Sequence, residues 1–107
     1  MSKTTSVKEL RRLLQEKQDV VIVDVRRQSD YEADSEVIPG AVWRDPEKVE
    51  EWSKDLPERK EVLIYCVRGG SVSQSVSKRL AEAMVNVSYI EGGIAAWKEA
   101  GGEVEQK

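Results

Sequence analysis

One stretch constrains this chain more than any other: Val62-Leu63-Ile64-Tyr65-Cys66-Val67-Arg68-Gly69-Gly70-Ser71. Residues 62–65 are a continuous β-branched, aliphatic and aromatic run, the pattern of a strand covered on both faces. Past the two glycines, Ser71 and Gln74 have the spacing of a capping box, with Ser71 as N-cap. Val72, Val76, Leu80 and Met84 then recur every fourth residue along one helical face. A covered strand that passes through a short loop into a helix belongs to the α/β class. The same order puts Cys66, the sole cysteine, at a strand's C-terminal end and before a helix N-terminus, where open α/β sheets take their ligands.

That position has chemical consequences. Unpaired N–H groups and the positive dipole end at a helix N-terminus favour an anion. The anionic form of cysteine, the thiolate, is its nucleophilic form. Gly69 and Gly70 can take positive φ without a Cβ penalty, so the loop can curl and aim its N–H groups inward. Arg68 adds a permanent planar cation with donors suited to an oxyanion. Plainer readings stand beside these: a lone cysteine ending an apolar strand is most often a small buried hydrophobe, and Ser71 is an N-cap before it is a ligand contact. The combination within one loop tips the balance towards chemistry.

The rest of the chain reads as alternating helices and strands. Ser6 and Glu9 predict a capped helix with Val7, Leu10, Leu13 and Leu14 inward, and residues 20–25 a second buried strand. Ser29 and Glu32 predict a short capped turn with Tyr31 packed inward, followed by loop at 34–36 and a short strand at 41–43. Asp45-Pro46 opens a helix, with Val49 and Trp52 inward, that Leu56-Pro57 ends. Trp43 and Trp52 are read as rim or core packing. The helix after Ser71 ends near Met84 with Asn86 as its cap, residues 87–90 form the last strand, and Gly92-Gly93 turns into a helix with Ile94 and Trp97 inward that Gly101-Gly102 stops. Covered strands separated by amphipathic helices predict a mostly parallel sheet with right-handed crossovers.

Four segments, in order, resemble the single-domain rhodanese family. Residues 21–26 (Val-Ile-Val-Asp-Val-Arg) resemble its first core strand. Residues 38–41 (Ile-Pro-Gly-Ala) resemble a loop that usually begins with histidine, where this chain has Val37. Residues 65–71 resemble the active-site loop, and 91–97 (Glu-Gly-Gly-Ile-Ala-Ala-Trp) the closing signature. The resemblance implies one rhodanese domain over 1–107, with a central, mostly parallel five-stranded sheet and helices on both faces. It implies a sulfurtransferase in which Cys66 is catalytic and Val67, Arg68, Gly69, Gly70 and Ser71 bind substrate. Asp24 and Arg26 are then a structural ion pair or loop anchor. The donor would be thiosulfate or a persulfide. The acceptor would be a thiol or cyanide, with a protein thiol as a further class.

Composition narrows the remaining options. A net charge of −3 argues against general nucleic-acid binding. One cysteine and no histidine leave no zinc site and no internal disulfide. No cofactor is expected. A polar start and the lack of an apolar run predict a cytoplasmic protein with no membrane association. Two other classes compete. A cysteine-dependent phosphatase or arsenate reductase would carry arginine six positions after the cysteine, where this chain has Val72. A catalytically weak binding or regulatory module would usually have lost the cysteine.

Overall fold

The computed structural model describes residues 3–57 and 59–107. Its framework is a five-stranded sheet built from β1 (Thr4–Thr5), β2 (Val20–Asp24), β4 (Val42–Trp43), β5 (Glu61–Tyr65) and β6 (Val87–Ile90), in the order β1-β6-β5-β2-β4. Every pairing in it is parallel. The central pair β2–β5 runs in register from Val20 opposite Glu61 to Asp24 opposite Tyr65. A separate antiparallel pair joins β3 (Glu36–Val37) to β7 (Glu105–Gln106).

Alternation along the strands sends successive side chains to opposite faces. Val62, Ile64 and Cys66 of the β5 segment pack with Val76 and Leu80 of α4 (Ser71–Glu82) and with Val49 and Trp52 of α3 (Val49–Trp52). Leu63 and Tyr65 face the other way, onto Leu10 and Leu13 of α1 (Val7–Gln15) and Ile94 and Trp97 of α5 (Gly93–Glu99). Both faces are therefore covered, as the apolar runs in β2 and β5 require. The fifth helix, α2 (Gln28–Ala33), follows β2, and its Tyr31 stacks on Trp43 at 5.2 Å between ring centroids.

Local sequence signals held at several element ends. Ser6 accepts from the Glu9 N–H and caps α1, and Asp45 accepts from the Glu47 N–H to open the 3₁₀ turn Pro46–Lys48 that leads into α3. Four expectations need correction. Ser71 is the first helical residue of α4 rather than its cap; Gly70 holds the cap position with no side-chain bond, and Gln74 Nε2 turns back to the Gly69 carbonyl at 3.4 Å. Ser29 lies inside α2, whose cap residue Arg27 makes no side-chain bond either. Met84 is not on the buried helical face: α4 stops at Glu82, and Met84, 90% exposed, takes the left-handed cap position at φ +67. Asn86 is drawn off instead, its side chain accepting from Lys3 Nζ and its carbonyl from the Val62 N–H. Finally, β6 is not the last strand, and Glu36 lies in β3 rather than in loop, because β7 returns to pair with it.

Candidate active site

The strand order places the site. From β2 the chain moves outward to the edge strand β4, then crosses back to β5 on the other side of β2 and continues outward to β6. The order reverses between β2 and β5, and loops leaving their C-terminal ends diverge there, opening a crevice. The residues after β5 are Cys66 to Gly70; those after β2 are Val25, Arg26 and Arg27. A cavity of about 270 Å³ at this point is lined by Cys66, Val67, Arg68, Gly70, Ser71 and Val72 from one side. Arg26, Arg27 and Asp30 line it from the other.

Cys66 is only 5% exposed and shares the α4-side core with Val25 and Val76, yet it also forms part of this cavity. The backbone around it is held in a particular way. Ile94 N–H donates to the Cys66 carbonyl and Ala95 N–H to the Val67 carbonyl, each at 3.0 Å. The first turn of α5 thus takes up the loop's carbonyls. Among the described residues, the N–H groups of Val67 to Ser71 donate to no protein acceptor. A loop whose carbonyls are tied back and whose donors are free, leading into the positive end of a twelve-residue helix, is a cradle for an anion.

Glycine is needed at two contacts in this arrangement. Gly69 has φ +69, and a Cβ there would lie 2.9 Å from the Gly92 nitrogen and 3.0 Å from the Ile90 oxygen. Gly93 has φ +61, and its Cβ would lie 2.4 Å from the Cys66 carbonyl oxygen. Gly70 differs from expectation: its φ is −86, and a Cβ would meet nothing within 4 Å. Gly93, Ile94 and Ala95 were not singled out as site residues from sequence, although the Gly92-Gly93 pair marked a tight turn. Their contribution depends on a contact between segments distant in the chain.

Arg68 is exposed and, among the described residues, makes no ion pair. Ser71 is exposed on the cavity rim, free of a capping role.

Asp24, at the end of β2, pairs with Arg26, which also lines the cavity. Both are buried, at 0% and 1% exposure, and Arg26 Nε and a terminal nitrogen fork onto the Asp24 carboxylate at 2.8–3.1 Å. Tyr65 hydroxyl donates to Asp24 Oδ2 and accepts from the Ile38 N–H. The remaining Arg26 donors reach Asp34 Oδ2 at 2.9 Å and the Glu36 carbonyl, and its own carbonyl accepts from Trp43 Nε1. Burial opposes the Arg26 charge, but the Asp24 carboxylate more than offsets it, so the guanidinium is held protonated even more firmly than usual. Burial, then the negative Asp24, push the Tyr65 hydroxyl far above the ordinary phenol range. On Asp34, burial is outweighed by Lys98 Nζ at 2.8 Å, the Glu36 N–H and Arg26, which bring its pKa down to about 2. This network fixes the end of β2 and ties it to α5. Among the described residues, no cluster of side chains suits a metal ion.

Comparison with known proteins supports the same fold. The family model for the Rhodanese-like domain matches residues 6–100. A thiosulfate sulfurtransferase GlpE of Coxiella burnetii is 41% identical over 86 residues, covering 79% of this chain and 78% of that protein. A Bacillus halodurans protein of known structure superposes with a TM-score of 0.86 at 26% identity, over 98% of this chain and 77% of that one. A Rhodopseudomonas palustris protein of unknown function, described as a possible tyrosine phosphatase, superposes with a TM-score of 0.78 at 29% identity, over 97% and 85%. With the family model spanning nearly the whole chain and a GlpE relative 41% identical over most of it, this protein belongs to the rhodanese-like domain family.

Proposed function

We propose that this protein is a sulfurtransferase working through a persulfide on Cys66, with residues 1–107 acting as one rhodanese domain. The observation that carries the reading is the backbone around Cys66: carbonyls of Cys66 and Val67 bonded to α5, and N–H groups from Val67 to Ser71 without protein acceptors among the described residues. In the first step the Cys66 thiolate attacks the outer sulfur of thiosulfate. A bond forms between Sγ and that sulfur, the S–S bond of thiosulfate breaks, and sulfite leaves with the electron pair. The free loop donors hold the anionic persulfide, and Arg68 at the rim attracts the sulfonate end of the donor. In the second step a thiolate or cyanide attacks the outer sulfur and Cys66 recovers its thiolate. This is covalent catalysis by two displacements. A persulfide donor in place of thiosulfate, or a protein thiol as acceptor, would use the same two steps. A reducing, cytoplasmic setting suits a single cysteine that must stay reduced.

Phosphatase chemistry is the second reading, favoured by the likeness to the Rhodopseudomonas palustris protein. Against it, α4 begins at Ser71, and the sixth position after Cys66 is Val72, an apolar residue where a phosphate-binding arginine would be needed. The deciding experiment is intact-mass analysis after mixing with thiosulfate in the absence of reductant. A gain of one sulfur atom, absent in Cys66→Ser, is expected. Aryl phosphate turnover without that adduct would support the phosphatase, and inertness to both would leave a binding module.

A further inference from the structure

Among the described residues, Asp30 is the one carboxylate lining the Cys66 cavity. It is exposed and lies in the first turn of α2, where an acid suits the positive end of the helix. That plain role does not require it to face Cys66. Its neighbour sets the direction: Tyr31 stacks on Trp43, and its ring centroid lies 5.6 Å from the Arg26 guanidinium carbon. With Tyr31 held there, Asp30, about 100° back around the helix, is turned to the cavity. Three other charged side chains line that space: Arg26, Arg27 and Arg68. Arg26 is matched by the buried Asp24 and by Asp34. Among the described residues, Arg27, Asp30 and Arg68 form no ion pair. Once Cys66 is a thiolate, its charge and that of Asp30 balance the two remaining arginines. An incoming donor therefore meets a cavity with no positive charge in excess, and thiosulfate brings two negative charges into it.

We propose that Asp30 is a specificity-determining residue that selects the sulfur donor by charge. It disfavours the thiosulfate dianion and favours a sulfane-sulfur donor with no more than one negative charge. The inference rests on the sulfurtransferase reading above. A thiosulfonate, a monoanion, shows what is at stake. The Cys66 thiolate attacks its outer sulfur, a bond to Sγ forms, the S–S bond of the donor breaks, and a sulfinate leaves with the electron pair. Thiosulfate reacts in the same way with sulfite leaving. The two donors deliver the same sulfur through the same bond changes and differ by one charge, and the Asp30 carboxylate acts on that difference. Arg68 at the rim draws in either donor, while Asp30 sets how far a second charge counts against it.

The test pairs thiosulfate with methanethiosulfonate as donors, with cyanide as acceptor. In Asp30→Asn the ratio of kcat/KM for thiosulfate to that for methanethiosulfonate should rise about three-fold or more at low ionic strength. Removing the Asp30 charge also eases formation of the Cys66 thiolate, but that acts on both donors and cancels in the ratio. Asp30→Glu should keep the wild-type ratio, and the difference between Asp30→Asn and wild type should fade by about 0.5 M salt. A ratio unchanged in Asp30→Asn, or changed equally in Asp30→Glu, would overturn the proposal. Alkylation of Cys66 reads the same filter without sulfur transfer. The rate with iodoacetate, an anion, relative to that with neutral iodoacetamide should rise in Asp30→Asn by a similar factor, and no rise would also overturn the proposal. If the alkylation ratio rises while neither donor loads sulfur onto Cys66, the sulfurtransferase reading falls and the charge filter stands.

Discussion

Cys66 meets two environments through two of its parts. Its side chain lies with Ile64 and Val76 on the α4 face, while its carbonyl is held from across the sheet end by the Ile94 N–H. Arg68, by contrast, makes no ion pair among the described residues, which leaves its guanidinium available to the sulfur donor of the proposed reaction. Arg68→Ala should therefore lower kcat/KM for thiosulfate about ten- to a hundred-fold, the worth of a charge-assisted contact of about 1.5–3 kcal/mol. Alkylation of Cys66 by a neutral reagent should change little, and Arg68→Lys should restore only part of the loss. Equal small effects on both reactions would remove Arg68 from the site. Cys66, Arg68 and Gly69 could be singled out from sequence as candidates because their residue types suit the proposed chemistry and they lie in one run. Ile94 and Ala95 could not, since they act only through backbone N–H groups, which no side-chain type reveals. Arg27 was unreadable for another reason: nothing local says that the end of β2 opens beside the end of β5.

The helices show the same division between local and distant causes. Starts with a capping side chain, at Ser6 and Asp45, were legible. Ends were less so, because three helices finish in one hydrogen-bond pattern with three different residues. In α1, α4 and α5 the N–H groups of Gln18, Val85 and Gly102 bond the Leu13, Leu80 and Trp97 carbonyls, with Lys17, Met84 and Gly101 between φ +54 and +75. Only Gly101 is suited to that backbone. Val85 packs against the core beside Leu80, and that contact draws the preceding residue into the left-handed turn whatever its type. Met84 thus bears the strain with an almost fully exposed side chain that contributes no packing. Met84→Gly is expected to stabilise the protein by about 1 kcal/mol, seen as a higher urea midpoint at constant m-value. A lower midpoint would show that backbone entropy outweighs relief of strain there. The long apolar strands were equally plain in the sequence, whereas Thr4–Thr5, Glu36–Val37 and Glu105–Gln106 are two-residue strands, too short to show any period. Only their partners make them strands.

For the molecule as a whole, the alternation of covered strands and amphipathic helices was enough to foresee a mostly parallel α/β sheet, and the family resemblance its five strands, but the alternation did not give the order that sets β2 beside β5. That adjacency brings together the Asp24–Arg26 pair, Asp34 and, from α5, Lys98, which bonds Asp34 and Glu36 at 2.8 and 3.1 Å. Asp34 titrates near 2 in the folded chain against an ordinary 3.8. A lowered carboxylate pKa adds stability above the unfolded value, and this is lost as pH falls through the folded one. The advantage of wild type over Asp34→Asn should therefore be constant above about pH 5 and shrink between about pH 4 and 2, by on the order of 1 kcal/mol once solvent screening is allowed for. Urea titrations across that range would reveal it, and a gap independent of pH would mean that the Asp34 charge does not matter. The bonds from Ile94 and Ala95 to the Cys66 and Val67 carbonyls also have a meaning in time. A chain made from its N-terminus carries Cys66 some thirty residues before the segment that shapes the loop around it. Until β6 and α5 have docked, the Cys66 and Val67 carbonyls lack their α5 partners. On the proposed mechanism the anion cradle is therefore completed last, by the closing of the fold.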